Sequence, residues 1–217
     1  MFASIAPRYD LMNRLMTGGM DLRWRVEVIR RARIGAGDHL LDLGAGTGDL
    51  AREALKQTPG AGVVAADFTV EMMQTGRSRY GKPRDWSGAD ALNLPFPDQC
   101  FDAVVSGFLM RNVVDVPRAL AEQYRVLKPG GRLVTLDTTR PRENLLSPFI
   151  RFHMRKVIPW LGGLLSGDRS AYTYLPETSE NFLEAEVLLA RIREAGFREA
   201  GFRRLNFGTV AIHWAER

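Results

Sequence analysis

Short apolar runs alternate with segments of helical spacing across residues 38–139. The apolar runs predict five strands, at residues 39–44, 62–68, 86–90, 101–108 and 132–139. The intervening segments carry apolar residues three and four positions apart, and this spacing predicts helices at residues 49–58, 69–80 and 114–127. Near-continuous apolar strands that alternate with helices are typical of a parallel sheet with helices on both faces.

Polar residues and a proline mark the ends of two of these helices. Thr69 and Asp115 are predicted to be N-caps, because a short polar side chain can accept a hydrogen bond from a backbone N–H of the first turn. Pro117 lies in the first turn of the third helix, where its fixed φ is favourable. The "KPGG" stretch (128–131) predicts a turn before the fifth strand.

The two ends of the chain do not follow this alternation. After a helix at 184–196, two short runs at 197–207 and 208–217 predict an antiparallel pair of strands. Residues 1–37 and 140–183 are predicted to cover one end of the sheet. The sequence therefore predicts a single Rossmann-like α/β domain with a mostly parallel, seven-stranded sheet, a terminal antiparallel hairpin and a helical cover.

The composition agrees with one ordinary globular domain. The chain has 217 residues, of which 45% are hydrophobic and 25% are charged. No apolar stretch reaches the roughly 18 residues that a membrane span needs. Arg8, Asp10 and Arg14 interrupt any apolar core that a signal peptide would have. A single cysteine, Cys100, excludes an internal disulfide framework and fits a cytoplasmic protein.

The charge and the histidine spacing narrow the range of partners. The formal net charge of +5 would attract nucleic acid, anionic lipid or an acidic substrate. Because the arginines are spread along the whole chain, a solvated cationic face explains the charge equally well. The three histidines, at positions 39, 153 and 213, are far apart and do not combine with cysteines at metal-ligand spacing. We therefore expect no metal site.

A glycine-rich turn follows the first predicted strand. Residues 44–48 read G-A-G-T-G, and glycines at the end of a strand permit positive φ and close approach of the backbone to a ligand. A dinucleotide fingerprint reads G-x-G-x-x-G, whereas the third glycine of this turn, Gly48, comes one residue early. A P-loop ends in Gly-Lys-Ser or Gly-Lys-Thr, and Gly48 is followed by Asp49. The turn therefore matches neither phosphate-binding pattern.

Acidic residues surround this glycine turn. Asp42 and Asp49 flank it, which is unfavourable for a pyrophosphate but suits a ligand with a positive centre. Asp67 ends the second strand, where a carboxylate can accept hydrogen bonds from ribose hydroxyls, and Asp90 ends the third, where it could meet an adenine amino group. Taken singly, each carboxylate could instead cap a turn or be a solvated strand end. Together they predict a nucleoside that carries positive charge and no phosphate, which is S-adenosylmethionine.

Further motifs make the sequence similar to a known family. The chain resembles the class I S-adenosylmethionine-dependent methyltransferases, and among them the quinone-biosynthesis C-methyltransferases that act on demethylmenaquinone and on the ubiquinone precursor. The resemblance covers nearly the whole chain and is carried by "IAPRYDLMNRLMTGGMDLRWR" (5–25), "DLGAGTGDL" (42–50), "LPFPDQCFDAVVSGF" (94–108), "RNVVDVPRALAEQYRVLKPGGRLVTLD" (111–137), "AYTYLPETSENF" (171–182) and "GTVAIH" (208–213). The chain departs from the family pattern at Gly107, Leu109 and Leu183, where the family usually has serine, glycine and proline. Relatives also tend to carry a short leader before this start.

The resemblance implies a division of the chain and a set of donor contacts. We expect an N-terminal helical cover (1–37), a cofactor-binding core (38–139), an acceptor lid (140–183), and a C-terminal helix and hairpin (184–217). The residues implied to hold the donor are Asp42, Gly44, Gly46, Thr47, Gly48, Asp67, Phe68, Asp90, Ala91 and Gly107. Tyr9 is expected to fold across the donor and exclude water, although packing in the core would explain it equally well.

Methyl transfer to carbon also needs an activated acceptor. The sulfonium methyl is already a strong electrophile, so the enzyme must supply alignment and a ring carbon made nucleophilic by loss of a phenolic proton. In the resembling enzymes, the pair that matches Arg111 and Asn112 is implicated in acceptor activation through a water molecule. Because a guanidinium stays protonated, we expect Arg111 to stabilise the developing phenolate and Asn112 to orient the water or the ring. The alternative for Arg111 is a pair with Asp115 that caps the following helix.

The acceptor of this family carries a long isoprenoid chain, which gives the segment 142–160 a function. Apolar stretches alternate with basic residues there, and we expect a cationic, apolar cover that takes the isoprenoid and transiently touches an anionic bilayer. A lid packed on the sheet explains the same pattern. Tyr172 and Tyr174 are expected to line the acceptor pocket. His153 is a further acceptor contact and a second candidate base, with a surface position as the alternative.

The predicted function is therefore methylation of demethylmenaquinol to menaquinol in the cytoplasm, with peripheral contact at the inner face of the membrane. C-methylation of the ubiquinone precursor, or of another small phenolic or lipid-like molecule, is the alternative. A nucleic-acid-binding function rests only on the basic charge, because no aromatic platform is interleaved with the arginines. A nicotinamide-dependent oxidoreductase conflicts with the glycine spacing. A homodimer is compatible with the family, whose members often pair.

Overall fold

Seven strands form one sheet in the computed structural model, which describes residues 14, 17–81, 83, 85–140 and 182–217. The strands are β1 (His39–Leu43), β2 (Gly62–Asp67), β3 (Asp85–Gly88), β4 (Phe101–Gly107), β5 (Leu127–Thr138), β6 (Arg198–Leu205) and β7 (Val210–Glu216). The helices are α1 (Met20–Ala32), α2 (Asp49–Gln57), α3 (Val70–Tyr80), α4 (Val116–Val126) and α5 (Ala185–Glu194). Each strand and helix that the sequence predicts in these residues is present, with shifted ends.

The sheet is mostly parallel and ends in an antiparallel hairpin, as predicted. Its strand order is β3-β2-β1-β4-β5-β7-β6, and β7 runs antiparallel to both β5 and β6. β1 lies between two parallel neighbours, because Leu41 pairs with Val64 of β2 on one side and with Val104 of β4 on the other. The order of the strands reverses between β1 and β4. A crevice for a ligand therefore forms at the carboxyl ends of these two strands.

Alternate residues of the central strands enter two apolar cores, one on each face of the sheet. Leu41 and Val104 face the core formed with α4 and α5, whereas Leu40 and Val105 face the core formed with α1 and α2. All four side chains are fully buried. Burial on both faces explains why these strands read as continuous apolar runs rather than as alternating ones.

The structure confirms one predicted cap and corrects another. Asp115 is the N-cap of α4, where its side chain accepts a hydrogen bond from the Arg118 N–H at 2.9 Å, and Pro117 lies in the first turn. Thr69 occupies the N-cap position of α3, but its side chain makes no capping hydrogen bond. Asp67 instead accepts a hydrogen bond from the Thr69 N–H at 2.7 Å, as an Asx-turn does.

The predicted turn at 128–131 is a bulge within β5 and not a break before it, because Phe101 of β4 pairs with Leu127 whereas Ala103 pairs with Arg132. These residues belong to β5, which begins at Leu127 directly after α4. The glycines bend the strand rather than end it, because Gly130 has a φ of 77° and its N–H donates to the Arg217 carbonyl at 3.0 Å. The Arg217 N–H in turn donates to the Gly131 carbonyl at 3.0 Å. The end of the chain thus continues the pairing that a break would have interrupted.

The two predicted covers can be compared with the structure only in part. Of the expected N-terminal cover (1–37), the structure describes α1 and the segments beside it. Almost all of the expected lid (140–183) lies outside the described residues, so both covers stay predictions. None of the described helices is long and apolar enough to cross a membrane.

His213 lies in β7 and is buried in the sheet. The residue is 2% exposed, its Nε2 lies 2.9 Å from the Ala185 carbonyl oxygen, and the Phe202 ring stacks on it. Burial lowers the pKa of His213 from 6.5 to about 4, against the opposing effect of the hydrogen bond to Ala185. The folded protein therefore keeps this imidazole neutral at pH values where the unfolded chain protonates it.

This difference predicts that stability depends on pH. Because the unfolded chain takes up the proton near pH 6.5 and the folded protein only near pH 4, His213 should lower the free energy of unfolding by about 2 kcal/mol between about pH 7 and about pH 5. Asp42, whose raised pKa of about 7 acts in the opposite direction over this range, is present in every variant, so the contribution of His213 is measured as a difference. Relative to His213→Gln, urea unfolding of the wild type should show this loss. His39→Gln, a change at an exposed histidine, should leave it in place. The same pH dependence in His213→Gln and the wild type would contradict the assignment.

Candidate active site

A cavity of about 380 Å³ opens at the carboxyl ends of β1 and β4, where the strand order reverses. Most of its wall is apolar and comes from the strand ends and from the segment after β4. The lining includes eight of the residues predicted to form the site, namely Gly44, Gly46, Asp67, Phe68, Asp90, Ala91, Gly107 and Asn112. The topology thus brings predicted residues from the ends of four strands together.

A second, smaller cavity of about 40 Å³ shares part of this lining. Gly44, Gly46 and Gly107 belong to both cavities. The predicted donor residues Asp42 and Thr47 line the smaller cavity and not the larger one. The glycine turn therefore separates two spaces of different character, because the larger one is mainly apolar and the smaller one is bordered by charged side chains.

The glycines of the turn are required by the packing of the protein itself. Gly44, Gly46 and Gly48 all have positive φ, between 57° and 85°, which residues with a side chain rarely adopt. A Cβ atom on Gly44 would lie 2.8 Å from the Leu109 side chain, and one on Gly48 would lie 2.8 Å from the Trp86 ring. Gly48 is the N-cap of α2 and lines neither described cavity. Neighbouring side chains already fill the space that larger residues would need.

Asp67 holds the glycine turn in place. Its Oδ2 accepts a hydrogen bond from the Gly46 N–H and its Oδ1 accepts one from the Thr69 N–H, both at 2.7 Å. Burial raises the pKa of Asp67, and these hydrogen bonds act in the opposite direction. Each carboxylate oxygen has a further lone pair, so Asp67, which lines the larger cavity, can accept a ribose hydroxyl without releasing the turn. The sequence predicted the ribose contact, and the structure adds the support of the turn.

Asp42 has a buried oxygen without a hydrogen-bond partner among the described residues. Its Oδ2 accepts from the Ala51 N–H at 2.9 Å, whereas its Oδ1 makes no hydrogen bond. Burial raises the pKa of Asp42 to about 7, and the charges of Asp67 and Asp49 act in the same direction. A cationic group in the smaller cavity would satisfy this oxygen and favour the ionised carboxylate. An anionic group there would be repelled.

A buried ion cluster joins α1 to the glycine turn. Arg25 pairs with Asp21 and with Asp49, each at 2.7 Å, and its side chain is 10% exposed. Asp49 also pairs with Arg52, which donates to the Thr47 carbonyl at 2.5 Å. Arg25 lines the smaller cavity as well. Arg25 is not among the site residues predicted from the sequence, although Asp21 and Arg25 are four residues apart on a helix, which is the spacing of an intrahelical ion pair.

Asp90 and Ala91 follow β3 and line the larger cavity. β3 ends at Gly88, earlier than predicted, and Asp90 lies in the next turn, where its Oδ1 accepts from the Leu92 N–H at 2.9 Å. Asp90 is exposed, whereas Ala91 is buried. This arrangement suits the predicted contact with an adenine edge, because the carboxylate is accessible at a wall that the buried Ala91 helps to form.

Arg111 and Asn112 lie in a 3-10 turn (Met110–Asn112) after β4. Asn112 lines the larger cavity, and its side-chain amide donates to the Phe108 carbonyl at 2.8 Å. Arg111 lines neither described cavity. Its side chain is 6% exposed, and its Nη1 lies 4.0 Å from the Asp137 Oδ1. The two residues predicted to activate the acceptor therefore have different surroundings, one at the cavity and one behind its wall.

Asp137, at the end of β5, fixes this turn. It is buried, its Oδ2 accepts from the Arg111 N–H at 3.2 Å, and its Oδ1 accepts from the Thr138 N–H at 2.7 Å. Burial raises the pKa of Asp137, and the charge of Arg111 opposes that rise. The alternative pair of Arg111 with Asp115 is wrong, because the guanidinium faces Asp137 while Asp115 caps α4 through the Arg118 N–H.

Two residues of this region, Asp137 and Phe108, are not among the site residues predicted from the sequence. The sequence contains a signal for the first and none for the second. Asp137 is a carboxylate at a strand end, like Asp67, and the same rule applied to β5 would have found it. Phe108 lines both cavities and has a φ of 61°, an unusual conformation for an aromatic residue. No pattern in the sequence marks Phe108, because this conformation is imposed by the tertiary structure around the end of β4.

Four residues predicted to belong to the site, Tyr9, His153, Tyr172 and Tyr174, lie outside the described residues. Their contacts with the donor and the acceptor stay predictions. Among the residues that the structure describes, no group of three or more His, Cys, Asp or Glu side chains is arranged to hold a metal ion.

Comparison with known proteins identifies the family. The profile of the ubiE/COQ5 methyltransferase family matches residues 1–217, which is the whole chain. The chain belongs to this family. Family members that it matches include the ubiquinone/menaquinone biosynthesis C-methyltransferase UbiE of Desulfotalea psychrophila, at 46% identity over 100% of this chain and 89% of that protein. The demethylmenaquinone methyltransferase of Thermus thermophilus is 46% identical over 100% of both chains.

Solved structures of S-adenosylmethionine-dependent methyltransferases share the fold. Phosphoethanolamine N-methyltransferase 2 of Haemonchus contortus, in complex with S-adenosyl-L-methionine, aligns with a TM-score of 0.69 and 14% identity over 100% of this chain and 60% of that one. A methyltransferase of Thermotoga maritima aligns with a TM-score of 0.67 and 19% identity over 100% of this chain and 99% of that one. At these identities the likeness concerns the fold alone, since one fold hosts many reactions. The predicted class I methyltransferase fold is confirmed.

The packing of α3 on the glycine turn generates a test of the site. A Cβ atom on Gly76 would lie 2.3 Å from the Thr47 carbonyl oxygen. Gly76→Ala should therefore displace the turn and lower the free energy of unfolding by about 1–3 kcal/mol. If half of that cost falls on the turn that binds the donor, the affinity for S-adenosylmethionine falls about 2- to 13-fold, which calorimetric titration measures.

Gly88→Ala is the matched control, because a Cβ atom on Gly88 would meet nothing within 4 Å. It should change neither the stability nor the affinity. A Gly76→Ala protein that binds the donor as the wild type does would show that the contact between α3 and Thr47 does not shape the site.

Proposed function

We propose that this methyltransferase transfers a methyl group from S-adenosylmethionine to a ring carbon of a reduced isoprenoid quinone, with demethylmenaquinol as acceptor and menaquinol as product. The assignment of S-adenosylmethionine as the donor rests on the carboxylates around the glycine turn. The most important of them is Asp42, which has a buried oxygen without a hydrogen-bond partner among the described residues. The acceptor is supported by 46% identity, over the full length of both chains, to a protein named demethylmenaquinone methyltransferase.

The described residues fit this donor in size and in charge. The larger cavity, of about 380 Å³, falls in the usual range for small-molecule sites. Asp67 would accept the ribose hydroxyls, and Asp90 with Ala91 would contact the adenine edge. Asp42 would face the positive charge from the smaller cavity. When bound, the donor supplies a methyl group on a positively charged sulfur, which is electrophilic without further activation.

The protein must also make the acceptor ring nucleophilic. Loss of a phenolic proton spreads negative charge onto the ring, and a nearby fixed positive charge stabilises that state. Arg111 supplies such a charge, because a guanidinium stays protonated. Its Nη1 lies 4.0 Å from the Asp137 Oδ1, and its backbone N–H donates to the Asp137 Oδ2 at 3.2 Å. Asn112, which lines the cavity, would contact the acceptor or a water molecule. We therefore assign Arg111 an electrostatic role through the cavity wall and Asn112 the direct contact.

The ubiquinone precursor, a benzoquinol, is the second candidate acceptor. It is supported by 46% identity to a protein named ubiquinone/menaquinone biosynthesis C-methyltransferase. Both acceptors present a phenolic ring that carries an isoprenoid chain, so the chemistry assigned to Arg111 and Asn112 applies to either one.

An acceptor with an isoprenoid chain requires the enzyme to work at a membrane surface for part of its cycle. We place this contact on the cytoplasmic side, with the apolar and basic segment 142–160 taking the isoprenoid. Tyr172 and Tyr174 would line the acceptor pocket, with His153 beside them. Tyr9 would close over the donor. These assignments, and the pairing of two copies, rest on the sequence.

Transfer of label from S-adenosylmethionine into an organic extract tests the acceptor. We expect rapid labelling of reduced demethylmenaquinone and of short-chain naphthoquinols, and slower labelling of benzoquinols. Labelling of benzoquinols alone would move the assignment to the ubiquinone precursor. Binding of the donor without labelling of any quinol would contradict quinol methylation.

The same assay tests Arg111. Lysine keeps the positive charge but cannot reproduce the position of the guanidinium, whose Nη1 lies 3.5 Å from the Thr138 Oγ1 and 4.0 Å from the Asp137 Oδ1. Arg111→Lys should therefore lower turnover about 100-fold and leave donor affinity unchanged. Arg191→Lys, at an exposed arginine of α5, is the matched control and should be fully active. Normal turnover in Arg111→Lys would remove the assigned role.

A further inference from the structure

The outer face of α1 combines exposed apolar and basic side chains. Leu22 and Val26, one helical turn apart, are 46% and 43% exposed. Arg23 and Arg30 are exposed on the same face, and exposed Arg33 follows at the C-cap. At 3.6 residues per turn, Leu22, Arg23, Val26 and Arg30 fall within an arc of about 100°, and Arg33 follows directly after the helix in a left-handed conformation. Neither acidic residue of the helix lies within that arc.

This face, which we call the α1 outer face (Leu22, Arg23, Val26, Arg30 and Arg33), carries a net positive charge. Arg30 pairs with Glu27, at the margin of the face, at 2.7 Å. Among the described residues, Arg23 and Arg33 form no ion pair with an acidic side chain. In the described part of the chain, two guanidinium groups without an acidic partner thus lie close in sequence to two apolar side chains that remain in contact with water.

The opposite face of α1 is part of the enzyme. Trp24 and Val28 are buried in the core that α1 forms with α2 and the sheet. Arg25 pairs with Asp49, at the start of α2, and lines the smaller cavity. A partner on the α1 outer face would therefore lie one helix diameter, about 10 Å, from the residues that hold the glycine turn.

We propose that the α1 outer face docks on an anionic membrane surface. Leu22 and Val26 enter the interface between headgroups and acyl chains, and the arginines contact the acidic lipids, which is how amphipathic helices bind in the plane of a bilayer. The proposal rests on the proposed function, because an isoprenoid acceptor has to be taken from a membrane. It assigns the contact to a surface separate from the segment 142–160.

The combination of positive charge and apolar side chains on the α1 outer face favours a bilayer over nucleic acid as its partner. Each arginine near an anionic membrane surface strengthens binding by about fivefold, and nucleic acid would attract the arginines in the same way. Leu22 and Val26, however, gain nothing from a phosphate backbone, whereas a bilayer removes both of them from water. A face that alternates the two kinds of side chain therefore fits a lipid surface.

Sedimentation with vesicles tests the proposal on the full chain. At low salt, the wild type should bind vesicles of phosphatidylglycerol and phosphatidylcholine and not vesicles of phosphatidylcholine alone. The double variant Arg23→Gln with Arg33→Gln should lose about 25-fold in affinity. The double variant Leu22→Gln with Val26→Gln should lose about tenfold. Unchanged donor affinity in both variants establishes that they are folded.

The matched control makes the same chemical changes on another exposed helix. Val187→Gln with Arg191→Gln removes one exposed apolar side chain and one exposed arginine from α5, and it should bind the vesicles as the wild type does. No binding of the wild type to anionic vesicles at low salt would overturn the proposal. Equal binding by the wild type and both α1 variants would also overturn it, as would retention on RNA without binding to vesicles.

A kinetic measurement separates this proposal from the proposed function. With a long-chain quinol carried in anionic vesicles, both α1 variants should raise KM about tenfold or more and leave kcat unchanged. With a short-chain, water-soluble quinol, KM and kcat should both equal those of the wild type. If the wild type methylates neither quinol, the proposed function fails. If it methylates both and the α1 variants do so with unchanged KM, docking fails and the proposed function stands.

Discussion

The site depends on one electrostatic constraint, which is that carboxylates rather than unused backbone N–H groups surround the glycine turn. Asp67 accepts from the Gly46 N–H and so occupies an amide that a phosphate would otherwise bind. Asp42 keeps a buried oxygen without a partner, and such an oxygen is costly until a complementary group arrives. The turn is thus prepared for a cation, and a sulfonium donor follows from this more directly than a dinucleotide does.

The same constraint connects the turn to the rest of the fold. Asp49 adds negative charge near Asp42, and its pair with Arg25 ties α1 to the turn. α3 closes on the turn at the Thr47 carbonyl, where only the absence of a Cβ atom allows the contact. The glycine turn is therefore held by a strand end and two helices at once. Any partner that moves α1 acts on an element that also holds this turn.

The sheet could be predicted from the sequence because its central strands are buried on both faces and therefore read as continuous apolar runs. The glycine turn and Asp67 could be found because strand ends meet at one edge. Two of the predictions that the structure corrects, the turn at 128–131 and the partner of Arg111, depend on contacts between residues that are far apart in the sequence. "KPGG" reads as a break, but Arg217 pairs with Gly130 and continues the strand. Asp115 is close to Arg111 in the sequence, yet the Arg111 guanidinium lies near Asp137, because β5 is the neighbour of β4 in the sheet. The acceptor follows from family likeness rather than from local chemistry.

Calorimetric titration of the wild type with S-adenosylmethionine and, separately, with NADH tests whether the glycine turn binds a cation rather than a pyrophosphate. Both ligands carry adenosine, and they differ in whether a positive sulfur or a pyrophosphate meets the glycine turn. We expect S-adenosylmethionine to bind and NADH not to bind. We also expect S-adenosylmethionine to bind more tightly at about pH 7.5 than at about pH 6, because the ionised Asp42, whose pKa is about 7, is the form that a cation stabilises. No uptake of S-adenosylmethionine, or equal affinity for NADH, would show that the carboxylates around the turn do not select a cation.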